Sequence, residues 1–193
     1  MQNNSQKKRN EREQYEWVQA LVYSVLAVVV LFTFVVRLIG VDGRSMVPTL
    51  RHGDRLLVLN PILYDGYRYG DIVVLRKATF MEEPIVKRVI ATEGQTVDIN
   101  FRTGEVYVDG KLLKEDYINE LTFQEEGTEF PLIVPKGEVF VMGDNRNHSA
   151  DSRHSGLGTV DCRYMLGKAV AIAFPGISEE TGKREFDRIG TIG

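Results

Sequence analysis

The sequence predicts a mainly β protein in which an N-terminal membrane helix precedes a β-rich antiparallel domain. Three observations carry that reading. The run from Ala20 to Val36 contains no charged residue. Beyond it, short segments rich in β-branched residues recur between clusters of Gly, Asp and Pro, the pattern of strands joined by tight turns. Asp109-Gly110 sits between two such segments as a two-residue hairpin signal. A chain of 193 residues, 43% hydrophobic and 26% charged, fits one globular domain with an appendage. A formal net charge of -3 carries no nucleic-acid footprint, so no nucleic-acid partner is expected.

The appendage comes first. Residues 1–16 form a polar N-terminal segment, and residues 17–39 are read as the anchor: Trp17 and Val18 extend the uncharged run on one side, and Leu38 and Ile39 extend it beyond Arg37. That is about the 20 residues needed to cross hydrocarbon. Tyr15 and Trp17 suit an interfacial belt. A cleaved secretory signal is the competing reading, but the apolar run exceeds a signal core and no small-x-small site falls before Arg37. Charge says little about orientation. Lys7, Lys8, Arg9 and Arg12 precede the span, and Arg37, Arg44, Arg51 and Arg55 follow it. Because long folded domains translocate with little regard to charge, the balance favours the N-terminus inside. The single Cys162 forms no intramolecular disulfide and is silent on compartment.

Residues 40–176 form the β domain. Expected strands are Arg55–Leu59, 71–76, 84–91, 96–99, Glu105–Val108, Glu138–Met142 and 166–174, with turns at Tyr64-Asp65-Gly66-Tyr67, Thr103-Gly104 and Asp109-Gly110. Short strands and frequent turns suggest an antiparallel barrel or sandwich. Residues of about 100–135, more acidic than the rest, read as a small peripheral β subdomain. Residues 177–193 read as a polar tail with no visible role. There is no internal repeat and no low-complexity segment.

Lys87 lies inside the apolar run Pro84-Ile85-Val86-Lys87-Arg88-Val89-Ile90-Ala91. With a period of two it shares a face with Ile85 and Val89, and Arg88 points the other way. Burial penalises the charged amine, and a neutral lysine is a general base. A hydroxyl for it to deprotonate lies upstream, in Asp42-Gly43-Arg44-Ser45-Met46-Val47-Pro48-Thr49. Gly43 permits unusual backbone angles and Pro48 keeps Val47 extended, so Ser45 sits on a shaped turn that can expose a hydroxyl and an N–H together. A serine in a Gly/Pro loop is more often a plain turn former, and a buried lysine is often a paired or snorkelling one. A third stretch, Gly143-Asp144-Asn145-Arg146-Asn147-His148-Ser149-Ala150-Asp151-Ser152-Arg153, follows a strand and is dense in hydrogen-bonding groups. Arg146, at the third position counted from Asp144, and the missing glycine and glutamate argue against a calcium loop. Two other readings share these residues: a Ser-His-Asp hydrolase using His52, His148 or His154, and a membrane-tethered binding protein with an inactive β domain.

Taken together, Gly43 to Thr49, Gly70-Asp71-Ile72-Val73-Val74, Lys87 to Ala91, and Gly143 to Arg146 with Ser149, Asp151, Ser152 and Arg153 resemble, in order, the signature boxes of bacterial type I signal peptidases, in the Gram-positive branch. The resemblance runs from about Trp17 to Phe174. It implies a catalytic domain built around a coiled antiparallel sheet, facing outward from the cell membrane on a single anchor with a cytoplasmic N-terminus. It also implies a serine endopeptidase acting after small-x-small sites on secreted preproteins, with no metal or organic cofactor, and a monomer whose partners are preproteins and the bilayer. By the same resemblance Ser45 is the nucleophile, Lys87 the general base and Ser149 the residue that orients the lysine amine. Asp144, Arg146, Asp151 and Arg153 then support the loop, and Met46 helps line a shallow substrate pocket. Gram-negative members carry a serine where this chain has Gly43, so oxyanion stabilisation falls to backbone donors, chiefly the Ser45 N–H.

Overall fold

The computed structural model describes residues 2–179 and 181–192, with side chains from Tyr15 onward. The chain divides into two compact units, residues 1–36 and 37–193. The first is helix α1 (Gln2–Val30), extended by a π turn over Leu31–Val35. Within it Tyr15–Val35, 21 mostly apolar residues with Glu16 as the one charged side chain, rises about 30 Å, long enough to cross a membrane. A helix suits that medium because every interior N–H and C=O is bonded within the segment. Ser24 follows the same rule, its hydroxyl donating to Ala20 O at 2.8 Å. The helical part ends earlier than residue 39: Val36–Gly40 is extended, as the β-branched Val35 and Val36 and the polar Arg37 favour.

After the first residue of β1 (Val36–Gly40), the second unit holds the rest of that strand and β2 (Arg55–Leu59), β3 (Ile72–Leu75), β4 (Ile85–Thr92), β5 (Thr96–Asn100), β6 (Glu105–Val108), β7 (Lys111–Leu112), β8 (Leu132–Ile133), β9 (Glu138–Met142), β10 (Val160–Asp161), β11 (Met165–Phe174) and β12 (Gly190–Thr191). The larger sheet runs β1-β2-β11-β3-β4-β9-β10, with β12 also on β11. Its registered pairs are antiparallel. Register irregularities along β11, against both β2 and β3, let the long strand bend and the sheet curl.

Both faces of this sheet are covered. Leu56, Val58, Ile72, Val74 and Val86 bury one face with Leu50 and Met46 from the loop between β1 and β2. Val73, Leu75, Val89, Val141 and Val160 bury the other. That is why β3 is an unbroken apolar run, Ile-Val-Val-Leu, with all four residues buried. A smaller sheet, β7-β6-β5-β8, packs Val97, Ile99, Val106 and Val108 against Ile90, Phe140 and Met142. Its hairpin turns at Asp109 and Gly110, with φ of 52° and 72°, the positive pair that a type I′ turn needs.

Three departures from the sequence reading bear on function. The tail is not free: residues 190–191 pair with β11, and the segment before them folds onto the loop between β1 and β2. The subdomain is not peripheral throughout, since Glu115 and Thr122 reach buried Arg146. The two-residue strands β8, β10 and β12 are too short to show a period.

Candidate active site

Two loops and one strand meet at the site. β4 carries Lys87, the loop between β1 and β2 carries Ser45, and the loop leaving β9 carries residues 143–153. Register places Lys87 opposite Val73 and Arg88 opposite Ile72, so the two cations point to opposite faces as the period of two predicts.

Lys87 is 3% exposed. Its Nζ donates to Ser45 Oγ at 2.7 Å and to Val86 O at 3.1 Å. Burial lowers its pKa from 10.5 to about 8, with Asp151 and then Glu126 pulling the other way. In the neutral form the same contact reverses, the Ser45 hydroxyl donating to the amine lone pair. Ser45 itself is only half-buried, so the hydroxyl is reachable and the amine is not.

The Ser45 loop is held from the side of β9. Asn145 N–H donates to Ser45 O at 3.0 Å, and Asn145 Nδ2 to Arg44 O at 3.1 Å. The two loops come so close that a Cβ on Gly143 would lie 2.4 Å from Ser45 O and 2.3 Å from Ser149 Oγ, so only glycine fits there. Gly43 has φ of 88°, and its N–H donates to His52 Nδ1 at 3.3 Å. Among the described residues, the Ser45 N–H has no acceptor within the chain.

The polar loop is built on ion pairs. Asp151 and Arg153, both without exposed surface, form a fork of 2.9 and 2.8 Å, and Asp151 also accepts the Gly143 N–H at 2.9 Å. Arg146 forks onto Glu115 at 2.9 and 2.6 Å and donates to Gly143 O at 3.1 Å. Asp144 receives Arg88 at 2.9 and 2.7 Å and the Thr49 hydroxyl besides. The Arg88 guanidinium also lies 4.0 Å from the Tyr117 ring centroid.

The structure brings Asp144, Arg146, Asp151 and Arg153 together in this loop, all four buried and paired. Two differ from expectation. Ser149 Oγ is buried without a hydrogen-bond partner, and the amine it was expected to orient is bonded to Ser45 Oγ and Val86 O. Met46 is 1% exposed and packs with Leu50, Leu56 and Val58 in the core beneath the loop. The reading of single residues missed Arg88, Thr49, Glu115, Tyr117 and Asn145. Arg88 alone had a signal, as an arginine in a buried strand needs a carboxylate. The histidines stand apart: His52 pairs with Asp42 and Gly43, His148 faces Glu120, and His154 accepts from Gly156 N–H.

A reachable hydroxyl hydrogen-bonded to a desolvated amine, on a curled antiparallel sheet, can carry out acyl transfer of the serine-hydrolase kind. Comparison with known proteins fixes the class. Residues 14–174 match the family model for signal peptidase, peptidase S26. The chain is 36% identical over 169 residues to signal peptidase I of Bacillus licheniformis, covering 83% of this chain and 89% of that one. It is 36% identical over 176 residues to signal peptidase I T of Bacillus subtilis strain 168, covering 87% and 89%. A crystal structure of a signal peptidase I from Enterococcus faecalis V583 aligns with a TM-score of 0.45 and 29% identity, over 54% of this chain and 97% of that one. The chain belongs to the peptidase S26 signal peptidase family, and it is an enzyme: a peptidase that removes signal peptides.

Proposed function

We propose that the chain removes signal peptides from secreted preproteins with a Ser45–Lys87 dyad, cleaving after small-x-small sequences. The observation that carries the reading is the 2.7 Å contact between an almost fully buried lysine amine and a half-buried serine hydroxyl. Neutral Lys87 Nζ takes the Ser45 proton as Oγ attacks the scissile carbonyl carbon. The tetrahedral oxyanion is stabilised by the Ser45 N–H. Gly43 contributes main chain only, and its N–H is already engaged by His52. The protonated lysine then gives its proton to the leaving amine, the C–N bond breaks, and Ser45 is left as an ester. Water, deprotonated by the same amine, attacks the ester and restores the hydroxyl. Ser149, whose buried hydroxyl has no partner among the described residues, is proposed to orient the amine during turnover.

The membrane role follows from the apolar helix. The apolar helix, from Trp17 on, anchors the chain, with residues 1–16 cytoplasmic and the β domain outside the cell membrane, where the cleavage site of a translocating preprotein emerges. The enzyme acts as a monomer on preproteins at the bilayer, with no metal or organic cofactor in the reaction. Cleavage of a purified preprotein by full-length wild type, Ser45→Ala, Lys87→Ala and single replacements of His52, His148 and His154 tests the reading. Only the serine and lysine variants lose turnover. A histidine variant that loses as much returns the site to a Ser-His-Asp scheme.

A further inference from the structure

We propose that residues 176–179 and 181–192 form a strap that positions the nucleophile loop, and that Arg188 is its positioning residue, acting through Asp54. The inference rests on the reading of Ser45 as nucleophile.

The strap touches the loop between β1 and β2 at several places. Arg188, 14% exposed at its side chain, forks onto the fully buried Asp54. Nη1 donates to Oδ1 at 3.0 Å and Nη2 to Oδ2 at 2.9 Å. The same Nη2 donates to Thr49 O at 3.2 Å. Asp54 also accepts the Gly176 N–H at 2.7 Å and the Arg51 N–H at 2.8 Å. One carboxylate thus ties the first residue of the strap, a residue near its end and the nucleophile loop together. Glu185 pairs with Arg51 at 2.8 Å, and Glu179 pairs with Arg44, the residue before Ser45. Beyond Arg188 the chain pairs with β11, and Ile192 packs against the cluster that holds Met46 and Leu50. At Gly176 the strap passes so near the loop that a Cβ would stand 2.2 Å from His52 O.

The loop closes its own base through Val41 N to Asp54 O, Gly53 N to Val41 O and Asp54 N to Arg51 O, but among the described residues the stretch 42–50 that carries Ser45 is braced internally by Val47 N to Arg44 O and Leu50 N to Met46 O alone. It is set from outside, on one side by Asn145 and by Asp144 through Thr49, and on the other by the strap. The strap lies beyond residues 14–174, the part matched to the family model. Reaction between a hydroxyl and a bound carbonyl is steep in geometry, and a shift of about 1 Å costs up to about a hundredfold. Loosening one side of the loop therefore lowers the rate of the bound complex more than it lowers binding.

The test uses the full-length protein in detergent micelles and a synthetic peptide spanning an Ala-x-Ala cleavage site. Values of kcat and KM are measured well below each variant's melting temperature for wild type, Arg188→Gln, Arg188→Lys, Asp54→Asn, the Asp54→Asn/Arg188→Gln double variant and Ser45→Ala. We expect Arg188→Gln to lose about tenfold or more in kcat with KM within about twofold. Arg188→Lys recovers part of the loss. The double variant is no slower than the slower single, since both remove one contact. A folded Arg188→Gln with the kcat of wild type overturns the proposal. If that variant does not fold, Arg188→Lys decides, because it keeps the charge and loses the fork, and a wild-type kcat there overturns it equally. Turnover by Ser45→Ala would sink the nucleophile reading instead. An inactive Ser45→Ala beside a fully active Arg188→Gln sinks the strap alone.

Discussion

Lys87 and Arg88 are neighbours on β4 that point to opposite faces of one sheet, and the protein pairs only the second. Arg88 reaches Asp144 through two hydrogen bonds of 2.9 and 2.7 Å, Gly70 O at 2.9 Å and the face of Tyr117. Among the described residues, Lys87 has a serine hydroxyl and one carbonyl, with no carboxylate in contact. A buried cation that is paired keeps its charge, and one that is not gives up its proton more readily. The alternation of a strand thus separates a paired cation from one without a carboxylate.

The cost of the unpaired amine is measurable. The folded pKa of Lys87, about 8, lies below the unfolded value of 10.5, so between those values the unfolded chain binds more protons and wild-type stability rises with pH. At pH 7 the buried charge destabilises the native state by about 3 kcal/mol. Lys87→Met is therefore inactive, yet at least as stable as wild type at pH 7, with the advantage shrinking toward pH 10. Denaturant unfolding of both proteins in micelles at the two pH values checks this. A methionine variant clearly less stable at pH 7 would show that the native lysine is charged and satisfied.

Asp151→Asn removes a carboxylate that raises the Lys87 pKa and leaves Arg153, which lowers it, without its partner. The pH–activity midpoint moves below that of wild type. Stability falls by about 3 to 5 kcal/mol, the usual effect of stranding half of a buried ion pair. Melting temperatures together with pH profiles separate the two effects. An unmoved midpoint would place Asp151 outside the electrostatics of the lysine.

Ser149→Ala behaves differently. Its hydroxyl is buried and unpartnered, and deleting an unsatisfied buried group costs nothing or stabilises slightly. The melting temperature stays at or above that of wild type, and kcat falls if the hydroxyl turns to the amine during turnover. A full wild-type kcat would remove Ser149 from the mechanism.

Arg88→Lys keeps the charge and loses the fork to Asp144 and the stacking on Tyr117. A loss of about 1 to 3 kcal/mol in unfolding free energy is expected. Stability unchanged within error would mean that Asp144 is held by Thr49 alone.

Much of this was legible in the chain. The apolar helix, the strands from Arg55–Leu59 onward, the Asp109-Gly110 turn and the facing of Lys87 away from Arg88 follow from periodicity and turn chemistry, which are local. What stayed hidden was long-range. Glu115 and Arg146 lie 31 residues apart, Arg88 and Asp144 56, and Asp54 and Arg188 134, and no local rule pairs one carboxylate with one arginine at such distances. The tail showed no visible role for the same reason, because its partners lie at the start of the domain. Met46 was assigned by resemblance to a pocket, but its side chain turns into the core beside Leu50.

The pH dependence of kcat/KM for peptide cleavage by the full-length enzyme tests the central claim most directly, because it reports the free enzyme's essential base. With Lys87 as that base, kcat/KM rises about tenfold per pH unit below a midpoint near 8 and is flat above it, and single replacement of each histidine leaves the curve in place. A midpoint near 6.5 that disappears when His52, His148 or His154 is replaced would assign the base to a histidine and contradict the dyad.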